Sequence, residues 1–445
     1  MNAASTLVAG DTAWVLVSTA LVLVMVPGLA CFYGGLTRNR AVLNTMVMSF
    51  GALAVMSVFW VIAGYSLAFS HGTSWLGDLA WVGLRGVGAE PNATYSAGVP
   101  HVLYAAYQMM FAGITVALIS GAVVERMRFT AFLLFSLLWG ALVYVPLAHW
   151  VWADGGWLRS LGALDFAGGT VVHISAGVAA LILARMLGRR HDAGRQAILP
   201  HNVPLTLLGA GVLWFGWFGF NGGSALAANG IAADAVITTH TAAAAGLLGW
   251  IAVEFVRTRH ATAVGAATGA VAGLVAITPA AGFVTPTAAI LIGALGSVCA
   301  YGAIQIRAKT AIDDALDVFA CHGVAGIVGA LATGVFATKL INKDGADGLL
   351  AGNPHQLVVQ GIAVLATIAF VGVMTPIVVV AVNAMTKVRI SLADELAGVD
   401  TTEHREEGYH GGGLAEFAGQ AITLGQRVVL PAHELYGGQA LSNGD

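Results

Sequence analysis

Residues 168–187 read GGTVVHISAGVAALILARML, an apolar run whose single charge, Arg185, lies at one end and whose histidine, His173, lies near the other. A helix rises 1.5 Å per residue, so about 20 residues cross a hydrocarbon core about 30 Å thick. The run has the length and polarity of a membrane span. An imidazole inside such a span is costly unless it faces protein or a cavity, and His173 is therefore the residue to explain.

Blocks of the same kind recur along the chain. Read between polar punctuation, they predict spans near 12–35, 43–69, 99–123, 128–150, 168–187, 203–221, 234–256, 261–278, 287–306, 314–336 and 355–385. Composition agrees, because 58% of the 445 residues are apolar and 10% charged, against about 45–50% and roughly 25% in globular chains. A soluble enzyme is excluded on that ground. Nothing basic precedes the first block, so it reads as a span rather than a cleaved signal. Cys31, Cys299 and Cys321 sit in or beside apolar blocks without disulfide or zinc spacing, and read as small buried residues.

The block at 261–278 is short and rich in Ala and Gly, and charge, not hydropathy, places it as span eight. Arg38, Arg40, Arg126, Arg128, Arg185, Arg189, Arg190, Arg195, Arg257, Arg259, Arg307, Lys309, Lys387 and Arg389 fall on one side of the predicted spans. Arg85, Arg159, Lys339 and Lys343 fall on the other. The basic side is cytoplasmic. The alternation survives only with eleven spans, the N-terminus outside and the C-terminus inside. The membrane domain is predicted to occupy residues 1–386, and residues 387–445 a cytoplasmic tail.

A repeat runs through the spans. His173-Ile-Ser-Ala176-Gly177 in span five returns as His322-Gly-Val-Ala325-Gly326 in span ten, and Phe32-Tyr33-Gly34-Gly35 in span one as Phe220-Asn221-Gly222-Gly223 in span six. Both matches are offset by five spans, which reverses direction across the membrane. That is the pattern of an inverted five-plus-five repeat, a construction that puts a substrate pathway near the pseudo-twofold axis at mid-depth. The axis would bring His173 and His322 together as neutral rings, one donating and one accepting, with a donor or acceptor left at each end for a small polar molecule. No third ligand spacing accompanies the pair, so a metal site is not expected.

Other residues carry less. Asp165, just ahead of span five on the outer side, suits either a helix cap or a cation-recruiting vestibule. Asp313, Asp314 and Asp317 open the predicted span ten, where capping is expected. Trp150, Trp152, Trp214, Trp217, Phe218 and Phe220 lie toward outer span ends, as in an interfacial belt. Ser224 beside Phe220 offers a hydroxyl next to ring faces, which suits a small cation. No nucleophile–base or metal constellation supports an intramembrane enzyme, and no catalytic signalling domain is visible, although a sensing role would use the same pathway.

Several motifs together resemble one family. Phe32-Tyr-Gly-Gly, Ala148-His-Trp-Val-Trp152, Gly168-Gly-Thr-Val-Val-His173, Trp217-Phe-Gly-Phe220-Asn-Gly-Gly-Ser224 and Asp317-Val-Phe-Ala-Cys-His322-Gly look like the ammonium transporter (Amt/Mep/Rh) family, and the bacterial Amt branch more than the Rhesus branch. The resemblance implies an ammonium or ammonia pathway in the cytoplasmic membrane, without a cofactor, through each subunit of a homotrimer. It implies an external recruitment site of Phe111, Trp152 and Ser224 supported by Asp165. Below it come a Phe111–Phe220 gate, Trp217 on the pore wall, and His173 with His322 as a twin-His lining. It also implies a regulatory tail over 388–409 and a PII-type signal protein as cytoplasmic partner.

Overall fold

A computed structural model describes residues 6–195 and 197–409. Ten of its helices are long and apolar enough to cross a membrane. In chain order they are Ala9–Leu36, Asn39–Phe69, His101–Ala122, Phe129–Leu161, Gly169–Leu187, Val203–Ala225, Gly230–Thr258, Pro286–Arg307, Phe319–Phe336 and Pro354–Met385. They coincide with predicted spans one to seven and nine to eleven. The eighth is the shorter helix Ala263–Ile277. Its residues are small because Gly246 of span seven lies against Gly269 and Gly273, leaving no room for a side chain between the two backbones.

Helix starts follow local chemistry. Asn202, Asn229, Thr262 and Thr285 each accept a hydrogen bond from the backbone N–H three residues on, and Pro204 and Pro286 occupy first-turn positions where no donor is missed. Span ten starts later than predicted. Asp317 has φ +57°, a left-handed conformation that a helix cannot continue through, so the helix begins at Phe319.

The three aspartates ahead of it divide their work, and the expectation that all of them cap span ten is corrected. Only Asp314 caps, accepting from Val318 and Phe319 N–H at 3.1 and 2.7 Å. Asp317 pairs with Arg307. Asp313 takes the fully buried Arg126 at 3.0 Å and Arg190 at 2.9 Å. Burial alone would raise the Asp313 carboxyl, but the two arginines outweigh it and hold the group well below the ordinary carboxylate range. Arg190 also reaches Glu125, which pairs with Arg38. The loops on the predicted basic side are thus joined by one ionic network.

The tail closes over these loops as far as Tyr409; the distal tail expectation, residues 410–445, lies outside the described residues. Ile390 N–H donates to Arg126 O and Arg128 N–H to Val388 O. Asp400 accepts from Leu43 and Asn44 N–H, and Glu403 from Phe129 N–H. These tail carboxylates satisfy orphan donors at the starts of spans two and four, where local side chains provide no cap.

Repeat-related helices cross at glycines. Span one meets span six where Gly209 faces the backbone of Gly28 and Phe32, and span five meets span ten where Gly177 faces the backbone of Gly323. A Cβ at Gly177 would overlap main-chain atoms, which cannot swing aside. Gly177→Ala is therefore expected to force spans five and ten apart at a cost of about 1–3 kcal/mol. A lower yield of folded protein in detergent, with an earlier thermal transition, checks this.

Candidate functional site

The two histidines sit in matching pieces of irregular helix. Gly169–Ile174 in span five and Phe319–Val324 in span ten are both six-residue π-helical segments, and they carry His173 and His322. A π turn widens the helix by one residue and re-aims what it carries. Here it brings the rings face to face, with centroids 5.3 Å apart and planes within 19°. Their Nδ1 atoms are 3.3 Å apart, so one Nδ1–H donates to the other ring's Nδ1. Both rings are buried, and His173 Nε2 has no hydrogen-bond partner among the described residues.

Span five is aimed from its start. Gly168 turns the chain at φ +110°, which favours glycine, and Asp165 gathers the donors that follow. Its carboxylate accepts from the N–H groups of Gly168, Gly169, Thr170 and Val171 and from the Thr170 hydroxyl, at 2.6–3.2 Å. Of the two sequence readings of Asp165, capping is the one these bonds support. Four of the five go to the segment that carries His173, and the fifth to Gly168 just before it.

Above the pair lies an aromatic stack. Phe111 of span three and Phe220 of span six are 4.3 Å apart and 28° from parallel. Trp152 meets Phe111 edge-on at 6.0 Å, and its indole N–H donates to Asp165 O at 3.0 Å. The Ser224 hydroxyl donates to Phe220 O at 2.8 Å. Trp217 stacks on His173 at 5.5 Å and 20°. Trp217 and Phe220 are only 2% and 0% exposed, so they line the interior instead of an interfacial belt.

Between stack and histidines is a cavity of about 10 Å³, room for one water-sized molecule. Ile114, Leu118 and Leu213 share its wall with Trp217, His173 and His322. The cavity is small and mostly apolar, with imidazole nitrogens as its polar feature.

Two positions escaped the sequence reading. Tyr107 lies 3.2 Å from the Ser224 hydroxyl, donates to the Gly219 and Phe220 carbonyls at 2.8 and 2.9 Å, and packs edge-on against Phe111. Its spacing was a usable signal, because residues four apart share a helix face and Tyr107 is one turn before Phe111. Thr278 accepts the Trp217 indole N–H at 2.9 Å. No local pattern marks it, since the contact joins helices distant in sequence.

Comparisons with known proteins identify the family of the chain. Residues 13–409 match the model of the Ammonium Transporter Family. The chain is 51% identical to an ammonium transporter of Bacillus subtilis, over 90% of this chain and 98% of that protein. It is 45% identical to the ammonium transporter Amt1 of Archaeoglobus fulgidus, over 90% and 99%. Its fold superimposes on the crystal structure of Saccharomyces cerevisiae Mep2 with a TM-score of 0.81 at 37% identity, covering 86% of this chain and 88% of that one. A structure described as a sensor Amt protein gives 0.81 at 27% identity, covering 89% and 98%. With this match over nearly its whole length, the chain belongs to the ammonium transporter family.

Proposed function

We propose that the chain takes up ammonium at an outer site of Phe111, Trp152 and Ser224, where the cation gives up its proton to water, and conducts ammonia past the Phe111–Phe220 stack and along His173 and His322, with or without a coupled proton. The observation that supports this reading is a cavity against Phe220, with room for one small molecule and apolar except for the His173 and His322 rings. Burying an ammonium group, with lysine as the analogue, costs its charged form roughly 4–7 kcal/mol. A desolvated cation–π contact returns only about 2 kcal/mol. Ring faces and a hydroxyl at the mouth can hold the cation, whereas the lumen favours the neutral molecule.

Asp165 supports the site indirectly, by fixing the start of span five and, through its carbonyl, the Trp152 indole. The eleven-span N-out, C-in arrangement, the homotrimer, the cytoplasmic membrane and regulation by a PII-type partner complete the proposal. The tail contacts on the loops suit a regulatory segment. A sensing role is the second reading, favoured by the likeness to the sensor Amt structure.

An ammonium pulse applied to liposomes holding the purified protein tests the proposal. Lumenal pH and current are recorded together, with Asp165→Ala alongside. An inward positive current that the variant loses supports recruitment with proton and ammonia both crossing, and a pH change without current supports ammonia crossing by itself. Responses identical to those of protein-free liposomes would overturn transport and favour sensing.

A further inference from the structure

The first two turns of span eleven carry two buried amide side chains, Gln356 and Gln360, one turn apart and 3% and 1% exposed. A buried amide is costly unless its hydrogen bonds are made. Here they go to the outer loop. Gln360 Oε1 accepts from Leu164 N–H at 2.8 Å, and its Nε2 donates to Leu164 O at 2.7 Å and to Ala330 O of span ten at 3.0 Å. Gln356 Nε2 donates to Gly162 O at 2.9 Å and approaches Gln360 Oε1 at 3.3 Å.

Leu164 is the residue before Asp165, and Gln360 holds both of its backbone groups. Phe166, the residue after, donates its N–H to Pro279 O at 3.1 Å, and Asp165 O receives the Trp152 indole. Three consecutive residues are thus tied to partners remote in sequence. Two consequences run from the Leu164 clamp. One passes through the Asp165 carboxylate to the π segment bearing His173, and the other through the Asp165 carbonyl to Trp152.

We propose that Gln360, assisted by Gln356, is a positioning residue for the outer recruitment site, setting Trp152 and the start of span five together through the Leu164–Asp165 peptide. The inference rests on the reading of Phe111, Trp152 and Ser224 as that site. Gln360 touches no transported molecule and acts through Asp165.

Proteoliposome transport at matched protein amounts tests it, with KM, maximal rate and ammonium-over-potassium selectivity measured for the parent, Gln360→Leu, Gln360→Glu, Gln356→Leu and Asp165→Ala. Leucine keeps the bulk and removes all three bonds, so KM is expected to rise about tenfold and selectivity to fall. A protonated glutamic acid can accept from Leu164 N–H and donate to Leu164 O, while an ionised one opposes two carbonyls. Gln360→Glu is therefore expected to recover KM at low pH and lose it as pH rises, a profile that packing alone would not give. Should Gln360→Leu fail to fold, Gln356→Leu, which loses the Gly162 contact and the contact to Gln360 Oε1 but leaves the Leu164 bonds in place, is expected to move KM in the same direction by less.

Unchanged KM and selectivity in the glutamine variants, with Asp165→Ala impaired, would overturn the inference and leave the outer-site reading intact. Unchanged KM and selectivity in Asp165→Ala as well would overturn both.

Discussion

Replacing His173 and His322 together by alanine is expected to lower ammonium-over-potassium selectivity by at least about tenfold, because each lost hydrogen bond to a polar molecule in a dry lumen costs about 1–3 kcal/mol. The double change removes the two imidazoles that face one another across 3.3 Å, the polar feature of the cavity. It also widens a passage only one small molecule across. Ammonia then loses its hydrogen-bonding partners while water gains room, and a wet passage no longer discriminates against a cation by desolvation. Flux of ammonium and of potassium into proteoliposomes checks both halves. Unchanged selectivity would show that the pair serves packing only.

Asp313→Asn is expected to destabilise the protein by about 3–5 kcal/mol, the usual consequence of removing one partner from buried ion pairs. Arg126 is fully buried and Arg190 nearly so, and both lean on this carboxylate. The sign with pH follows from the direction of the shift. A carboxyl held lower in the folded state than its unfolded value of about 3.9 contributes stability above that value and loses it as pH falls toward the folded one. The contribution is thus whole at neutral pH and disappears only in acid. Thermal unfolding of the detergent-solubilised parent and variant at about pH 7 and at about pH 3, below the unfolded carboxyl pKa, checks this, with the gap between them narrowing at the lower pH. A variant as stable as the parent at pH 7 would remove the network from the account of how the loops are held.

Much of the architecture is legible before any coordinates. Apolar blocks of span length have few physical alternatives, and the alternation of basic loops places even 261–278, whose small residues make its hydropathy a poor guide. The start of span ten was misjudged because a charged residue before an apolar run reads as a cap, and sequence does not reveal that Asp317 sits at positive φ or that Asp313 belongs to Arg126 and Arg190. The histidine pair was visible through the repeat. Its aim was not, since nothing local announces that the helix widens into π turns at both histidines. Trp217 and Phe220 look by position like belt residues; the family resemblance implies a place in the pathway for both, and the packing sets them beside His173. Thr278 and Gln360 were hidden for a different reason. Their partners are distant in the chain, and no periodicity records a hydrogen bond between helices.

In the proposed pathway the outer site and the lumen make opposite demands on charge. The most direct test is the initial ammonium-dependent flux into proteoliposomes at fixed total ammonium, with external pH stepped across the neutral range and the flux of protein-free liposomes subtracted. Below the ammonium pKa the ammonium concentration hardly changes with pH, while ammonia rises about tenfold with each pH unit. If the cation is the species recruited, the protein-dependent flux stays nearly constant across the steps and saturates with ammonium. A flux that climbs about tenfold per pH unit without saturating would mean that ammonia enters from solution directly, and would contradict selection of the cation at the mouth.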